Sequence, residues 1–343
     1  MTIKSPFPWF GGKSRVAPYI WQRFGDVKMY IEPFFGSGAA LLSMPSSVTP
    51  RIAINDLDGF VANFWRSIQH SPDETAKWAT NPINENDLHA RHSWLVQHLD
   101  TLRPKLEGNP DYHDPRIAGY WVWCVSSWFC SPCCSGKGPW VVDENGMLVK
   151  RAEGDTRAGV TRQLPCVHSR GTNRGVPPEF ADRLAFIISW FRGLSDILQR
   201  AIILSGDWSR VVTSAVLHGV QGAQSNSYAI TGVFLDPPYA DTANRASDVY
   251  AQDSLSVAHD VRKWAIEHGR DKRMRIALCG YEGEHEMPAD WETFEWKAKQ
   301  GFSNRGESMG ENSTKERIWF SPGCLSGKAW SGPRVSSKKL PRK

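Results

Sequence analysis

The chain has 343 residues, of which 41% are hydrophobic and 22% charged. That composition excludes disorder as the main description, and the length is enough for a real core and about two structural units. No apolar run reaches the roughly 18 residues of a membrane span, and the opening MTIKSPFPWFGGK has no apolar h-region, so a soluble, intracellular protein is expected. The formal charge of +5 is mild; its distribution says more. Between Thr156 and Pro178 lie Arg157, Arg162, Arg170 and Arg174 with no acid, and after Glu316 every charged residue is a cation, from Arg317 to Lys343. Such stripes are the usual footprint of phosphate contacts, and equally of a solvated loop and a disordered tail.

In chain order, Trp9-Phe10-Gly11-Gly12-Lys13 comes first. Pro6 and Pro8 preclude an ordinary helix start there, and the Gly-Gly turn exposes a cation, Lys13, able to meet the carboxylate of a small ligand. The plainer reading is a loop that packs Trp9 on the core. Residues 28–32 read as a short buried strand, followed by Glu32-Pro33-Phe34-Phe35-Gly36-Ser37-Gly38 and then by the expected first turns of a helix (AALLSM). Residues 51–55 form a second strand that ends at Asp56. Strand, glycine-rich turn, helix and strand, with an acid about 20 residues after the turn, is the Rossmann-like nucleoside-binding order. The glycines let the backbone approach a ligand, and Asp56 is placed to hold ribose hydroxyls. No Lys-Ser or Lys-Thr follows them, so a nucleoside without phosphates fits better than a triphosphate.

Residues 59–70 carry helical spacing at Phe60, Phe64 and Ile68. From about 72 to 180 the pattern changes. Helical pieces fall near 85–102, a hairpin is expected around Asn145-Gly146, and Tyr120, Trp121, Trp123, Trp128, Phe129 and Trp140 lie without a clean period. That aromatic group is either a packing knot or a surface on which bases stack. Seven cysteines in a chain with no sign of export make a disulfide framework unexpected. Cys130, Cys133 and Cys134, with Cys124 before them and Cys166-x-His168 after, could hold a tetrahedral zinc. The second pair lacks the usual spacing and buried free cysteine is common, so no metal is expected.

Regular structure returns with a helix over 179–200, strands at 201–204 and 232–235, a helix over 256–268, and strands at 274–279 and 316–320. The strand GVFL runs directly into Asp236-Pro237-Pro238-Tyr239. Ligands of open α/β sheets bind outside the carboxyl ends of the strands. There the Asp236 carboxylate, carbonyls fixed by two prolines and the Tyr239 ring suit a planar base bearing an amino group: two acceptors for its N–H bonds and one ring to stack on. A plain turn is the competing reading.

Taken together and in this order, W-x-G-G-K at Trp9–Lys13, E-P-F-x-G-x-G at Glu32–Gly38, Asp56 in NDLD and D-P-P-Y at Asp236–Tyr239 resemble the α-group of DNA adenine-N6 methyltransferases, which includes Dam-like and phage enzymes. The resemblance covers residues 6–70 and about 200–320. It implies an α/β, Rossmann-like S-adenosylmethionine-dependent methyltransferase sheet with an inserted target-recognition domain: 1–71 and 196–324 as the two parts of the methyltransferase domain, 72–195 as the insert, and 325–343 as a basic, disordered tail. It implies site-specific transfer of a methyl group from S-adenosyl-L-methionine to the N6 amino group of adenine in double-stranded DNA, with the base flipped out, by a cytoplasmic monomer. The implied catalytic residues are Asp236, Pro237, Pro238 and Tyr239. The implied cofactor residues are Trp9, Gly12, Lys13, Glu32, Pro33, Phe34, Gly36, Gly38, Asp56, Asp207 and Asp236; Asp207, in SGDW, matches the family's acid before the catalytic motif more weakly. The four arginines at 157, 162, 170 and 174 are the candidates for DNA contact. Cytosine-N4 methylation is the near alternative, although Ser is commoner there at the position of Asp236. An RNA or protein-amide methyltransferase, and a DNA-binding protein without activity, are the others. A nicotinamide-dependent dehydrogenase would want G-x-G-x-x-G, and position 41 is Leu41.

Overall fold

A computed structural model of the chain describes residues 3–9, 12–127, 133–134, 140–145, 147–150, 180–218, 229–238, 256–296 and 316–327. Its centre is a seven-stranded sheet in the order β5-β2-β1-β6-β7-β9-β8. The strands are β1 (Met29–Glu32), β2 (Arg51–Asp56), β5 (Ala201–Ser205), β6 (Thr231–Leu235), β7 (Met274–Tyr281), β8 (Glu292–Glu295) and β9 (Glu316–Phe320). The first five in spatial order from β5 to β7 run parallel, whereas β9 is antiparallel to β7 and to β8. This is the mixed α/β sheet expected, and it is consistent with a Rossmann-like methyltransferase.

The inner strands are short apolar runs because both faces are covered. Tyr30, Ile52, Ile54 and Phe234 face one apolar layer, and Met29, Ile31, Ala53, Val233 and Leu235 face the other. The first layer carries α1 (Ala17–Phe24) and α2 (Gly59–His70), and the second carries α9 (Val257–His268). Asp58 caps α2 by accepting a hydrogen bond from Phe60 N at 2.8 Å.

The helices α3 (Pro72–Ala79), α4 (Glu85–Val96), α5 (Leu99–Gly108), α6 (Pro115–Ser127) and α7 (Phe180–Leu198) follow. Ala76, Leu88, Leu102, Trp121 and Phe191, from these five helices, join the same core as α2. Asn63 of α2 ties that layer down: its amide donates to Asp114 O at 2.9 Å and its carbonyl accepts from Asp114 N at 2.8 Å. The hairpin at Asn145 is present as β3 (Trp140–Val142) paired antiparallel with β4 (Leu148–Lys150).

Three local expectations need correction, and one open reading, that of the aromatic stretch, is decided. Residues after the glycine loop form a single 3-10 turn, Leu41–Ser43, and not the first turns of an α-helix. The stretch around Trp121 lacks a period because α6 is buried on nearly every side, which removes the polar stripe that periodicity detects. Trp121 and Trp123 are packing residues, 2% and 0% exposed. Cys124 and Cys133 are joined by a disulfide with Cα atoms 6.2 Å apart. Arg317 is also no part of an exposed basic tail, since it is buried on β9 and bridges Glu282 at 2.9 Å. Trp128, Phe129, Cys130, Cys166, His168, Tyr239, the four candidate arginines and the chain from 328 onward lie outside the described residues.

Candidate active site at the strand ends

The strand order reverses direction at β1: β2 and β5 lie to one side, β6 and β7 to the other. The crevice at such a switch point, outside the carboxyl ends of the strands, is where ligands of open sheets bind. Here the two strands that flank it, β1 and β6, end in Glu32-Pro33 and Leu235-Asp236.

The loop after β1 is built around its glycines. Gly36 (φ 48°) and Gly38 (φ 68°) hold conformations that side chains rarely adopt. A Cβ on Gly36 would run into the Trp9 indole, and one on Gly38 would sit 2.8 Å from Cζ of Phe35. Trp9 therefore packs on the loop, and Trp65 fixes it from the core by donating from Nε1 to Gly36 O at 2.8 Å. Asp56, at the end of β2, accepts from Gly36 N at 2.8 Å and from Asp58 N at 2.9 Å. Asn55 joins three strand ends, donating to Pro33 O at 3.1 Å and Gly206 O at 2.9 Å.

Glu32 is buried and accepts from the Tyr30 hydroxyl of the same strand at 2.7 Å. Burial pushes its carboxyl well above the ordinary range, and nearby Asp236 and Asp56 add to that rise against the Tyr30 hydrogen bond. Asp56 is pushed up to about 7, by burial first and by Asp58 second, against the backbone N–H groups that hold it. The strand ends thus concentrate carboxyl groups whose ionised forms are disfavoured mainly by burial, and a cation beside them would favour ionisation.

One lysine supplies a positive charge there. Lys13 Nζ lies 2.9 Å from Asp236 Oδ1 and 3.8 Å from Glu316 Oε2, with only 3% of its side chain exposed. Burial alone would pull its ammonium down, but Asp236 and Glu316 outweigh this and hold its pKa well above the ordinary lysine value. Asp236 keeps 21% of its side chain exposed, so its carboxylate is anchored from beneath and open at the crevice. Pro237 is buried and Pro238 half-buried. On the β5 side, Asp207 is exposed and accepts from Ser209 N at 2.9 Å, while Phe34 and Trp208 stack with ring centroids 6.4 Å apart.

Residues 9–106 match the model of the D12 class N6 adenine-specific DNA methyltransferase family. That match indicates an adenine-specific DNA methyltransferase. No curated protein matches it. The matched segment of the methyltransferase holds Trp9, Lys13, the Glu32–Gly38 loop and Asp56, and it stops well before Asp207 and Asp236. The sheet supplies the missing link, because the contact of Lys13 with Asp236 joins the matched segment to the motif after β6. Among the described residues, the expected site residues of the methyltransferase all lie at or beside the strand ends; Gly12 is exposed just before Lys13.

Three residues of this arrangement are not apparent from the sequence pattern. Glu316 is the second carboxylate on Lys13, yet it sits 80 residues beyond Asp236 with no local motif. Asn55 carries the cross-links between strand ends. Trp208 stacks on Phe34, and its place directly after Asp207 was the available signal. No helix among the described residues is long and apolar enough to cross a membrane.

Proposed function

We propose that this methyltransferase binds S-adenosyl-L-methionine across the ends of β1, β2 and β5, and modifies a flipped adenine held at Asp236-Pro237-Pro238-Tyr239. The single observation that carries the reading is the Lys13–Asp236 pair at the switch point. The residues present fit a cationic nucleoside. Carboxylates at Asp56 and Asp207 suit ribose hydroxyls and a base amino group, the Phe34–Trp208 pair offers aromatic surface, and the glycines of the loop leave room for close approach. Asp207 is exposed at the crevice, and the lysine there is engaged by both Asp236 and Glu316, which favours a positively charged ligand over a phosphate. When bound, the cofactor supplies an electrophilic methyl group.

The chain's own part in the reaction is to position the amino nitrogen and accept its charge. Asp236 and the Pro237 carbonyl accept the two amino N–H bonds, which favours a pyramidal, more nucleophilic nitrogen. Lys13 fixes the Asp236 carboxylate beforehand, so the acceptors need no rearrangement as charge develops. The nitrogen gains acidity only as the new bond forms, and its proton leaves by way of Asp236. A base inside a duplex cannot reach this crevice, so the adenine is extruded, with Tyr239 as the stacking platform. Arg157, Arg162, Arg170 and Arg174 are assigned to phosphates and base edges, within an insert expected over 72–195. The test is transfer of labelled methyl from S-adenosyl-L-methionine to DNA, RNA and protein acceptors offered separately. Label in the adenine of duplex DNA is expected, and label in RNA, protein or cytosine alone contradicts the proposal.

A further inference from the structure

One group of metal-ligating side chains among the described residues lies outside the strand ends. His92 of α4, Cys124 of α6, and Cys133 and Cys134 beyond it are all buried, and one ligating atom from each lies within 4.8 Å of the others. Cys133 Sγ is 3.8 Å from His92 Nδ1 and 3.4 Å from Cys134 Sγ. In a tetrahedral zinc site, with bonds of about 2.3 Å to sulfur, neighbouring sulfurs stand about 3.8 Å apart. Neighbouring residues in a strand point their side chains to opposite sides. Here Cys134 takes φ 65°, the one non-glycine residue with positive φ among those described, and the two adjacent sulfurs converge.

We propose that His92, Cys124, Cys133 and Cys134 form a structural Cys3His site for a tetrahedral divalent cation of the zinc type, loaded when the Cys124–Cys133 disulfide is reduced. The bond takes two electrons and two protons from a pair of small-molecule thiols, which leave as their own disulfide. The metal then displaces a proton from each of the three protein thiols to water, while His92 binds as the neutral imidazole. Three sulfurs and an imidazole select zinc over calcium or magnesium, which prefer oxygen. Four protein ligands in a buried setting leave no open position, so the ion would hold structure and take no part in methyl transfer. The disulfide ties only α6 to the residues beyond it, whereas the metal would also tie α4. His92 and Cys134 are therefore what separates the two states: both matter to the metal and neither to the disulfide.

The experiment uses the full chain freed of any affinity tag, reduced with a phosphine under anaerobic conditions and offered zinc or cobalt(II). About one equivalent of zinc should stay bound after gel filtration, and cobalt should give the thiolate charge-transfer and intense d–d absorption of a tetrahedral site. His92→Ala and Cys134→Ser should each lose that equivalent, and Cys279→Ser, a buried thiol outside the cluster, should retain it. Cys134→His keeps a ligand in place, so it should still bind cobalt with weaker thiolate bands, which covers the case where a smaller side chain fails to fold. No metal on the reduced chain would overturn the proposal, as would a metal that survives both His92→Ala and Cys134→Ser.

Discussion

The strand ends and the helical layer over α2 are held together in opposite ways. At the strand ends the groups that matter are polar: Asp56 on the Gly36 amide, Asn55 on two carbonyls, Lys13 between Asp236 and Glu316. In the layer of α3 to α7 they are rings and close backbones. Trp121 and Trp123 are almost wholly buried, Arg116 lies 4.7 Å from the centre of the Trp94 ring, and Gly119 lets α6 touch α3 where a Cβ would meet Thr75 O at 2.8 Å. The first region spends stability on fixed charges facing a crevice; the second supplies it through packing. Substitutions should therefore separate, with ligand effects confined to the strand ends and purely structural effects in the layer.

The largest structural effect is expected where the polar region reaches the core. Lys13→Met leaves Asp236 and Glu316 close together without their cation, and should cost about 3–5 kcal/mol in denaturant unfolding. A loss below about 1 kcal/mol would mean that the pair contributes little. Gly119→Val forces α6 away from α3 and should cost about 1–3 kcal/mol while leaving cofactor affinity of the folded protein unchanged. A large change in affinity would show that the two regions are coupled. Trp208→Ala should do the reverse, weakening S-adenosyl-L-methionine binding by about tenfold or more through the lost aromatic surface, with little change in thermal midpoint. The last expected effect is a pH dependence. Asp56 is protonated below about 7 and ionised above it, and ribose hydroxyls bind the ionised form better. Cofactor affinity measured by calorimetry should rise as pH increases toward 7, by up to about tenfold per unit below it, and level off above. Asp56→Asn should flatten that profile.

The same contrast explains what could be read from the sequence. Glu32–Gly38, Asp56 and Asp236 each stand directly after a short apolar run, and a parallel sheet sends such positions to one edge. Strand order, and with it the adjacency of β1 and β6, is a tertiary property, so the Lys13–Asp236 contact and the part played by Glu316 were not legible. In the layer, α6 hid because burial on all sides erases the 3.6-residue period. The cysteines stand out in the sequence as a cluster, with Cys166 and His168 as the further ligands that the sequence suggests; both lie outside the described residues. The histidine that meets Cys133 is His92, brought from another helix by packing.

The central claim is that Asp236, anchored by Lys13 at the switch point, carries methyl transfer to adenine. Its most direct test is modification mapping of DNA from cells expressing the chain, beside cells expressing Asp236→Ala. The account predicts N6-methyladenine at a repeated short motif, lost in the Asp236→Ala control while the purified variant still binds DNA. N4-methylcytosine in its place, no modified base, or methyladenine that persists in the control would contradict it.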